Sequence, residues 1–335
     1  MSFISFGEIM LRLTPTEHAG KINSAESFGV GYAGSESNVA SSLAVLGNNV
    51  QFVTKLPLNA VGDACIMSLQ HFGISTKNIL RGGKRIGTYF IEIGSSIRPS
   101  SVIYDRAGSA ISDIDSNEFD WESILKGQSH LFISGITPAI SKNCADETIK
   151  VAKIAKKLGV KVSFDMNFRR TLWEDKTEAR KIFDAVLEHT DLLFGNAGVL
   201  EDIYGIKEKG IGQAEITLRA LEKARSQFGL SEIAFTVREH NSASENKLSA
   251  VCLSAGNFFE SNAYTVQIKD RFGTGDAFAA GYLHGIGKNW DIEKTLGFAT
   301  AAFALKHTIK GDQHTSTEKE ILSIMDGNTS GHVLR

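Results

Sequence analysis

Short runs rich in β-branched and aromatic residues recur along the chain, at 3–12, 50–56, 129–135, 160–166, 191–195, 232–238 and 248–254. Helical patterns lie between most of them. In 144–158, Ile149, Ala152, Ile154, Ala155 and Leu158 form an apolar stripe, and Gly159 stands just past its end as a stop. The stretch 176–189 repeats the pattern with Ala179, Ile182, Phe183, Val186 and Leu187. Strands that alternate with helices bury their apolar faces as right-handed βαβ units around a mostly parallel sheet. The runs 129–135 and 191–195 are almost continuously apolar, as strands covered on both faces must be. The expected class is α/β, a sheet between two helical layers.

Two regions interrupt this rhythm. Residues 13–33 carry no helical period, and 86–105 read as two strands around the turn Gly94-Ser95-Ser96. Alternation of apolar and polar residues there predicts a small antiparallel sheet with one wet face. No repeat and no Pro-rich linker divides the chain, so a single domain over 1–335 is expected, with 13–33 and 86–105 forming one inserted lid. Of 335 residues, 42% are hydrophobic and 22% charged, which suffices for a substantial core. A net charge of −2 argues against nucleic acid or an anionic membrane as partner. No window approaches 18 uninterrupted apolar residues, and the start of the chain lacks a signal-peptide pattern. Cys65, Cys144 and Cys252 are odd in number and lack metal-ligand spacing. They are expected as reduced, buried thiols in a cytoplasmic protein.

The chemistry concentrates in 268–285. Asp270 leads into a Gly273-Thr274-Gly275 turn, and Asp276 falls on the first turn of a helix of small apolar residues. Gly273 and Gly275 let the main chain approach a ligand closely. The helix behind them directs unpaired N–H groups and its positive dipole end into the turn, which makes an anion site. A carboxylate at the edge of such a site suits a group that accepts a proton from an alcohol attacking a phosphate. On spacing alone, Asp276 serves equally well as a first-turn helix residue.

Asp270-x-x-Gly273-x-Gly275-Asp276 is similar to the C-terminal signature of the ribokinase (PfkB) family of carbohydrate kinases. Gly31-Tyr32-Ala33-Gly34-Ser35-Glu36-Ser37-Asn38-Val39-Ala40 resembles that family's N-terminal signature, with Leu46-Gly47 closing the helix and Gly62-Asp63 following. The resemblance spans roughly residues 3–325. Residues 7–13, 104–110, 165–169 with Leu172-Trp173, and 304–312 narrow it to the 2-keto-3-deoxygluconate kinases. It implies a ribokinase-like three-layer αβα sandwich with a small antiparallel lid, using ATP and Mg2+. Asp276 would be the catalytic base and Gly273, Thr274 and Gly275 the anion hole. Gly34, Asn38, Tyr89, Tyr104, Arg106, Arg169 and Asp312 would meet the substrate, with Arg106 and Arg169 approaching its carboxylate. A guanidinium suits that task, since its planar fork matches a carboxylate. Arg169 could instead pair with Asp165. Asn167, Asn196, Arg238 and Ala301 would border the nucleotide, with Ala302 and Leu305 beside Ala301.

The nucleotide side departs from the family pattern. In the expected Asn-x-x-Glu motif, Asn196 is present but Val199 replaces the Glu, and Glu201 lies two residues on. No protein ligand for Mg2+ is assigned. The family's Gly-rich turn would fall at 236–243, which contains no glycine; Arg238 and its polar neighbours stand there. Arg271 can touch phosphate or solvent. The reading is an ATP-dependent kinase phosphorylating a sugar acid, with 2-keto-3-deoxygluconate going to its 6-phosphate. The alternatives are a kinase of a neutral sugar such as fructose or ribose and a non-catalytic sugar-binding regulator. A nicotinamide dehydrogenase is disfavoured, since the first strand lacks the expected glycine pattern. An exposed edge on the lid would favour a homo-oligomer.

Overall fold

Gly7 ends the first strand earlier than its apolar run suggests. A Cβ there would stand 2.3 Å from Glu36 Cδ, so any larger residue would have to displace that buried carboxylate. The run 3–12 is consequently two strands in two sheets, β1 (Ser2–Phe6) and β2 (Met10–Pro15). The computed structural model describes residues 1–17, 20–240, 242–329 and 331.

After β2 come β3 (Phe28–Ala33), α1 (Ser35–Val45), β4 (Asn49–Val53), β5 (Lys55–Leu56), α2 (Ala60–His71) and β6 (Leu80–Arg81). Then follow β7 (Thr88–Glu92), β8 (Ser101–Asp105), α3 (Trp121–Leu125), β9 (His130–Ser134), α4 (Lys142–Lys157) and β10 (Lys161–Asp165). The next elements are α5 (Lys176–Leu187), β11 (Leu192–Gly195), α6 (Ala197–Tyr204), α7 (Gln213–Phe228) and β12 (Glu232–His240). The chain continues through β13 (Glu245–Ser254), β14 (Asn257–Glu260), β15 (Tyr264–Gln267), α8 (Thr274–Gly287), α9 (Ile292–Lys306) and α10 (Glu318–Met325).

Among the described residues, a nine-stranded sheet runs in the order β14-β13-β12-β11-β10-β9-β1-β4, with β15 also on β13. From β4 through β12 every pairing is parallel; β13 and its partners are antiparallel. Side chains alternate between two cores. Leu131 and Ile133 enter the cluster that holds Val151, Phe183 and Leu221, while Phe132 enters the one that holds Leu43, Phe278 and Phe303. This is the mostly parallel, doubly covered α/β sheet that the sequence pattern demands. The helix expected at 144–158 begins slightly earlier because Ser141 caps it, its Oγ accepting from Cys144 N–H at 3.2 Å. Cys65, Cys144 and Cys252 are free and buried, and burial pushes each thiol up to about 12. No described helix is long and apolar enough to cross a membrane.

The second sheet has the order β3-β2-β7-β8. Its outer pairings, within the β2–β3 and β7–β8 hairpins, are antiparallel, and the two hairpins join through a parallel β2–β7 pairing. Register fixes two rows across all four strands. Gly31, Arg12, Tyr89 and Tyr104 face the interior, and Val30, Leu13, Phe90 and Ile103 face outward. The wet face expected from alternation is therefore apolar along this row, with Val30 65% and Ile103 54% exposed. The polar residues that alternate with it, notably Arg12, turn inward to meet buried acids.

Candidate active site

The parallel strands β9, β10 and β11 end together at Ser134, Asp165 and Gly195, and the N-terminus of α8 lies across from them. A cleft of about 490 Å³ opens there, outside the carboxyl ends of the strands, where open α/β sheets hold ligands. A larger cavity of 720 Å³ sits at the opposite ends of the strands, around His130, Asp191 and Glu232. It contains none of the groups described next.

Gly273 precedes α8 with φ 69, and a Cβ on it would lie 1.8 Å from Asp312 O. Both the backbone region and the contact require glycine. The first backbone bond of the turn joins Ala277 N–H to Gly273 O at 3.0 Å. The amides of Thr274, Gly275 and Asp276 precede it and point to the cleft side of the helix end. Asp276 is 7% exposed, and both carboxylate oxygens are held: Ser35 Oγ donates to Oδ1 and Asn38 Nδ2 to Oδ2, each at 2.8 Å. Asn167 Nδ2 donates in turn to Ser35 Oγ at 2.9 Å. Burial pushes the Asp276 carboxyl above the ordinary range; the bonds from Asn38 and Ser35 and the charges of Arg169 and Lys306 oppose that rise.

Two further acids crowd this carboxylate. Asp165 is pushed up to about 6, by burial and then by Asp276. Glu36 is fully buried and pushed up to about 7, mainly by burial, although Ser134 and Thr137 both donate to its Oε1. Such raised acids beside a cleft mark sites where chemistry is done. Facing them are cations without acidic partners. Among the described residues, Arg238 Nη2 donates to Thr274 Oγ1 at 3.1 Å, its guanidinium lies 5.5 Å from the centroid of the Phe303 ring, and its buried Nε has no hydrogen-bond partner. Burial, helped by Arg271 and Arg169, pushes its pKa down to about 10. Arg271 donates to Ala243 O at 2.8 Å, and Arg169 is exposed at the rim. Among the described residues, neither Arg169 nor Arg238 forms an ion pair, and Arg169 lies in none with Asp165.

A second cluster sits under the small sheet. Arg12 is buried between Asp312, which its Nη1 contacts, and Asp270, whose Oδ2 its Nη2 meets at 2.8 Å. Tyr89 donates to Asp312 Oδ2 at 2.7 Å, and Tyr104 stacks on Tyr89 with centroids 6.1 Å apart. Arg106 pairs through Nη2 with buried Glu8, to which Ser109 also donates. A Cβ on Gly34 would stand 1.9 Å from Glu8 O, so α1 starts pressed against the same loop.

Residues 2–319 match the model of the pfkB family carbohydrate kinases. The chain belongs to that family. The pfkB kinase is similar to a 2-dehydro-3-deoxygluconokinase from Thermotoga maritima, at 42% identity and TM-score 0.94 over 98% of this chain and 100% of that one. A pfkB family carbohydrate kinase from Listeria grayi shows 30% identity and TM-score 0.91, covering 97% and 100%. The 2-dehydro-3-deoxygalactonokinase of Haloferax volcanii is 29% identical over 328 residues, 98% of each chain.

In this pfkB kinase the cleft gathers Asp276, Gly273, Thr274, Gly275, Asn167, Arg169, Asn196 and Arg238. Gly34 and Asn38 join through α1, whereas Tyr89, Tyr104, Arg106 and Asp312 form the second cluster. Ala301 falls elsewhere. It is fully buried with Ala302 against Leu46, Phe298 and Ile321, between helices and away from the cleft, because this face of α9 packs on its neighbours. Val199 packs into the core and also borders the cleft, where it offers no carboxylate, and Glu201 is engaged by Lys207 Nζ at 2.6 Å and is absent from the cleft lining. The cleft wall also includes Thr236, from the 236–243 segment expected at the nucleotide, and Gln213 and Thr217, which sequence reasoning did not single out because no spacing pattern marks them. Arg12, Glu36 and Asp165 were also missed as site residues, since each looks like an ordinary strand or helix residue.

Proposed function

We propose that this kinase transfers the γ-phosphoryl group of ATP to a hydroxyl of a sugar acid, with 2-keto-3-deoxygluconate converted to its 6-phosphate. The observation that carries the reading is Arg169, an exposed and unpaired guanidinium at the rim of the cleft that holds Asp276. A free cation there suits a substrate carboxylate, and a neutral sugar has no use for it. Arg106 and the Tyr89–Tyr104 pair form the wall from which the sugar would be covered, with Asp312 and Asn38 offering acceptors and donors to hydroxyls. The names of the similar kinases support the same substrate class.

As the hydroxyl oxygen forms its bond to the γ-phosphorus, the bond from that phosphorus to the β-phosphate oxygen breaks. The hydroxyl proton passes to Asp276. Ser35 and Asn38 hold that carboxylate in one orientation, and its raised basicity favours the transfer. The amides of Thr274, Gly275 and Asp276 stabilise charge on the phosphoryl oxygens. The donors fit ATP: a glycine cradle at a helix end and a buried Arg238 with an unpartnered Nε both suit phosphate. Arg238 and Asn196 would border the nucleotide, with Asn167 linking it to Ser35; the adenine side runs along Ala197, Gln213 and Thr217. Mg2+ fits less well. Among the described residues no group of three His, Cys, Asp or Glu could hold it, and no step is assigned to it.

The outward apolar row Val30-Leu13-Phe90-Ile103 supports a homo-oligomer that covers this face. Sizing of a Val30→Asp/Ile103→Asp variant should give a smaller particle than the wild type. The function itself is tested by coupled ADP release over a panel of sugar acids and neutral sugars. Turnover should be best with 2-keto-3-deoxy acids, and Arg169→Ala should raise KM for them. Preference for fructose or ribose, with Arg169→Ala kinetically silent, would sink the sugar-acid reading.

A further inference from the structure

Lys306 is the last residue of α9, and none of it reaches solvent. Its Nζ donates to Ile309 O at 2.9 Å and Gly311 O at 2.6 Å. A lysine that satisfies carbonyls beyond a helix end is an ordinary cap. Full burial is not ordinary, because an ammonium withdrawn from water is costly without compensation. Burial pushes Lys306 down to about 8; Asp270 and Asp276 pull it back up, and Arg12 pushes it further down.

The carbonyls it holds belong to the wall behind the anion hole. The amides of Lys269 and Asp270 donate to His307 O, at 2.7 and 3.2 Å. Gly311 N–H donates to Asp270 Oδ2 at 3.0 Å. Asp312 O rests on Gly273, where any Cβ would collide with it. The segment 307–312 is thus the surface on which the turn 270–273 lies, and Lys306 pins it from inside. We propose that Lys306 is a positioning residue for phosphoryl transfer: its ammonium fixes the 307–312 turn against Gly273, so that the amides of Thr274, Gly275 and Asp276 keep one aim, and adds positive charge beside them. The inference rests on the kinase reading above.

Ser35, Glu36 and Asn38 on α1, Asp165 at the end of β10 and Arg169 beyond it surround Asp276; Arg12, Asp270, His307 and His314 surround Lys306. In Lys306→Met, kcat should fall by about 10²-fold, as for loss of one oxyanion donor, while KM for ATP and for the sugar acid stays within about threefold. The acid limb of its kcat profile should move to higher pH, since Lys306 no longer favours the ionised Asp276. In Lys306→Ala, added methylammonium should restore part of the lost kcat. Unchanged kcat, or a loss that follows thermal unfolding with no recovery by methylammonium, overturns the proposal. If the wild type turns over no sugar at all, the kinase reading has failed on its own. Affinity for inorganic pyrophosphate then decides: Lys306→Met should weaken it at least about tenfold, and equal affinity rejects the inference.

Discussion

Among the arginines that border the site, Arg12, Arg106, Arg169 and Arg238 differ in what neutralises them. Arg12 and Arg106, under the small sheet, are buried against Asp270, Asp312 and Glu8. Arg169 and Arg238, in the cleft, face no carboxylate within ion-pair distance among the described residues. The sequence reading treats Arg106 and Arg169 as equivalent readers of a substrate carboxylate. Their surroundings separate them. Arg106 already has an acid that would be left buried and uncompensated without it, whereas Arg169 can bind a new anion at no such loss. Paired charges under a sheet hold geometry; charges left unpaired among the described residues of a cleft are available to a ligand.

The comparison can be tested from several sides. Asp276→Asn removes the proposed proton acceptor and should cut kcat by about 10³-fold or more with KM little changed, measured by ADP release. Arg12→Met should act on stability: Asp270 and Asp312 stay buried without their cation, costing about 3–5 kcal/mol in denaturant unfolding. If that variant unfolds like the wild type, the division into structural and ligand-directed arginines is wrong. Arg169→Ala should do the reverse, raising KM for a sugar acid by about 10²-fold, near 2.7 kcal/mol, with the unfolding midpoint unmoved.

The smallest effect concerns the crowded acids. Glu36 and Asp165 have folded values of about 7 and about 6, above their ordinary range. The native state therefore holds their protons more tightly than the unfolded chain does. On their account, stability is highest below about pH 4 and falls as pH rises through those folded values. Glu36→Gln, which keeps the acceptor for Ser134 and Thr137, should stabilise the protein by about 1–3 kcal/mol at pH 8 and hardly at all at pH 4. Equal gains at both values would mean that Glu36 is neutral throughout.

Legibility varied with how local the cause was. The helix at 142–157 was readable because its stripe and its Gly159 stop lie within one segment. The Gly273–Asp276 turn was readable because glycine spacing and a following small-residue helix are properties of neighbouring residues. The break at Gly7 was not, since the group that a Cβ there would displace is Glu36, in another element. The outward apolar row of the small sheet was missed for a similar reason. Alternation shows that two faces differ, but which one is buried depends on where Asp270 and Asp312 draw Arg12. Ala301 failed as a cleft residue because small helical residues look alike whether they face a ligand or another helix.

By itself, then, the sequence determined the α/β class, the parallel core strands and the Gly273–Asp276 turn at the start of a small-residue helix, all set by spacing along the chain. The tertiary structure decided which charges are spent on each other and which remain free. That outcome depends on contacts such as Arg12 with Asp312, Asn38 with Asp276 and Lys306 behind Gly273. Charge pairing is a matter of a few ångströms in space, and residues 300 positions apart in the chain, such as Arg12 and Asp312, carry no sign of it in their order.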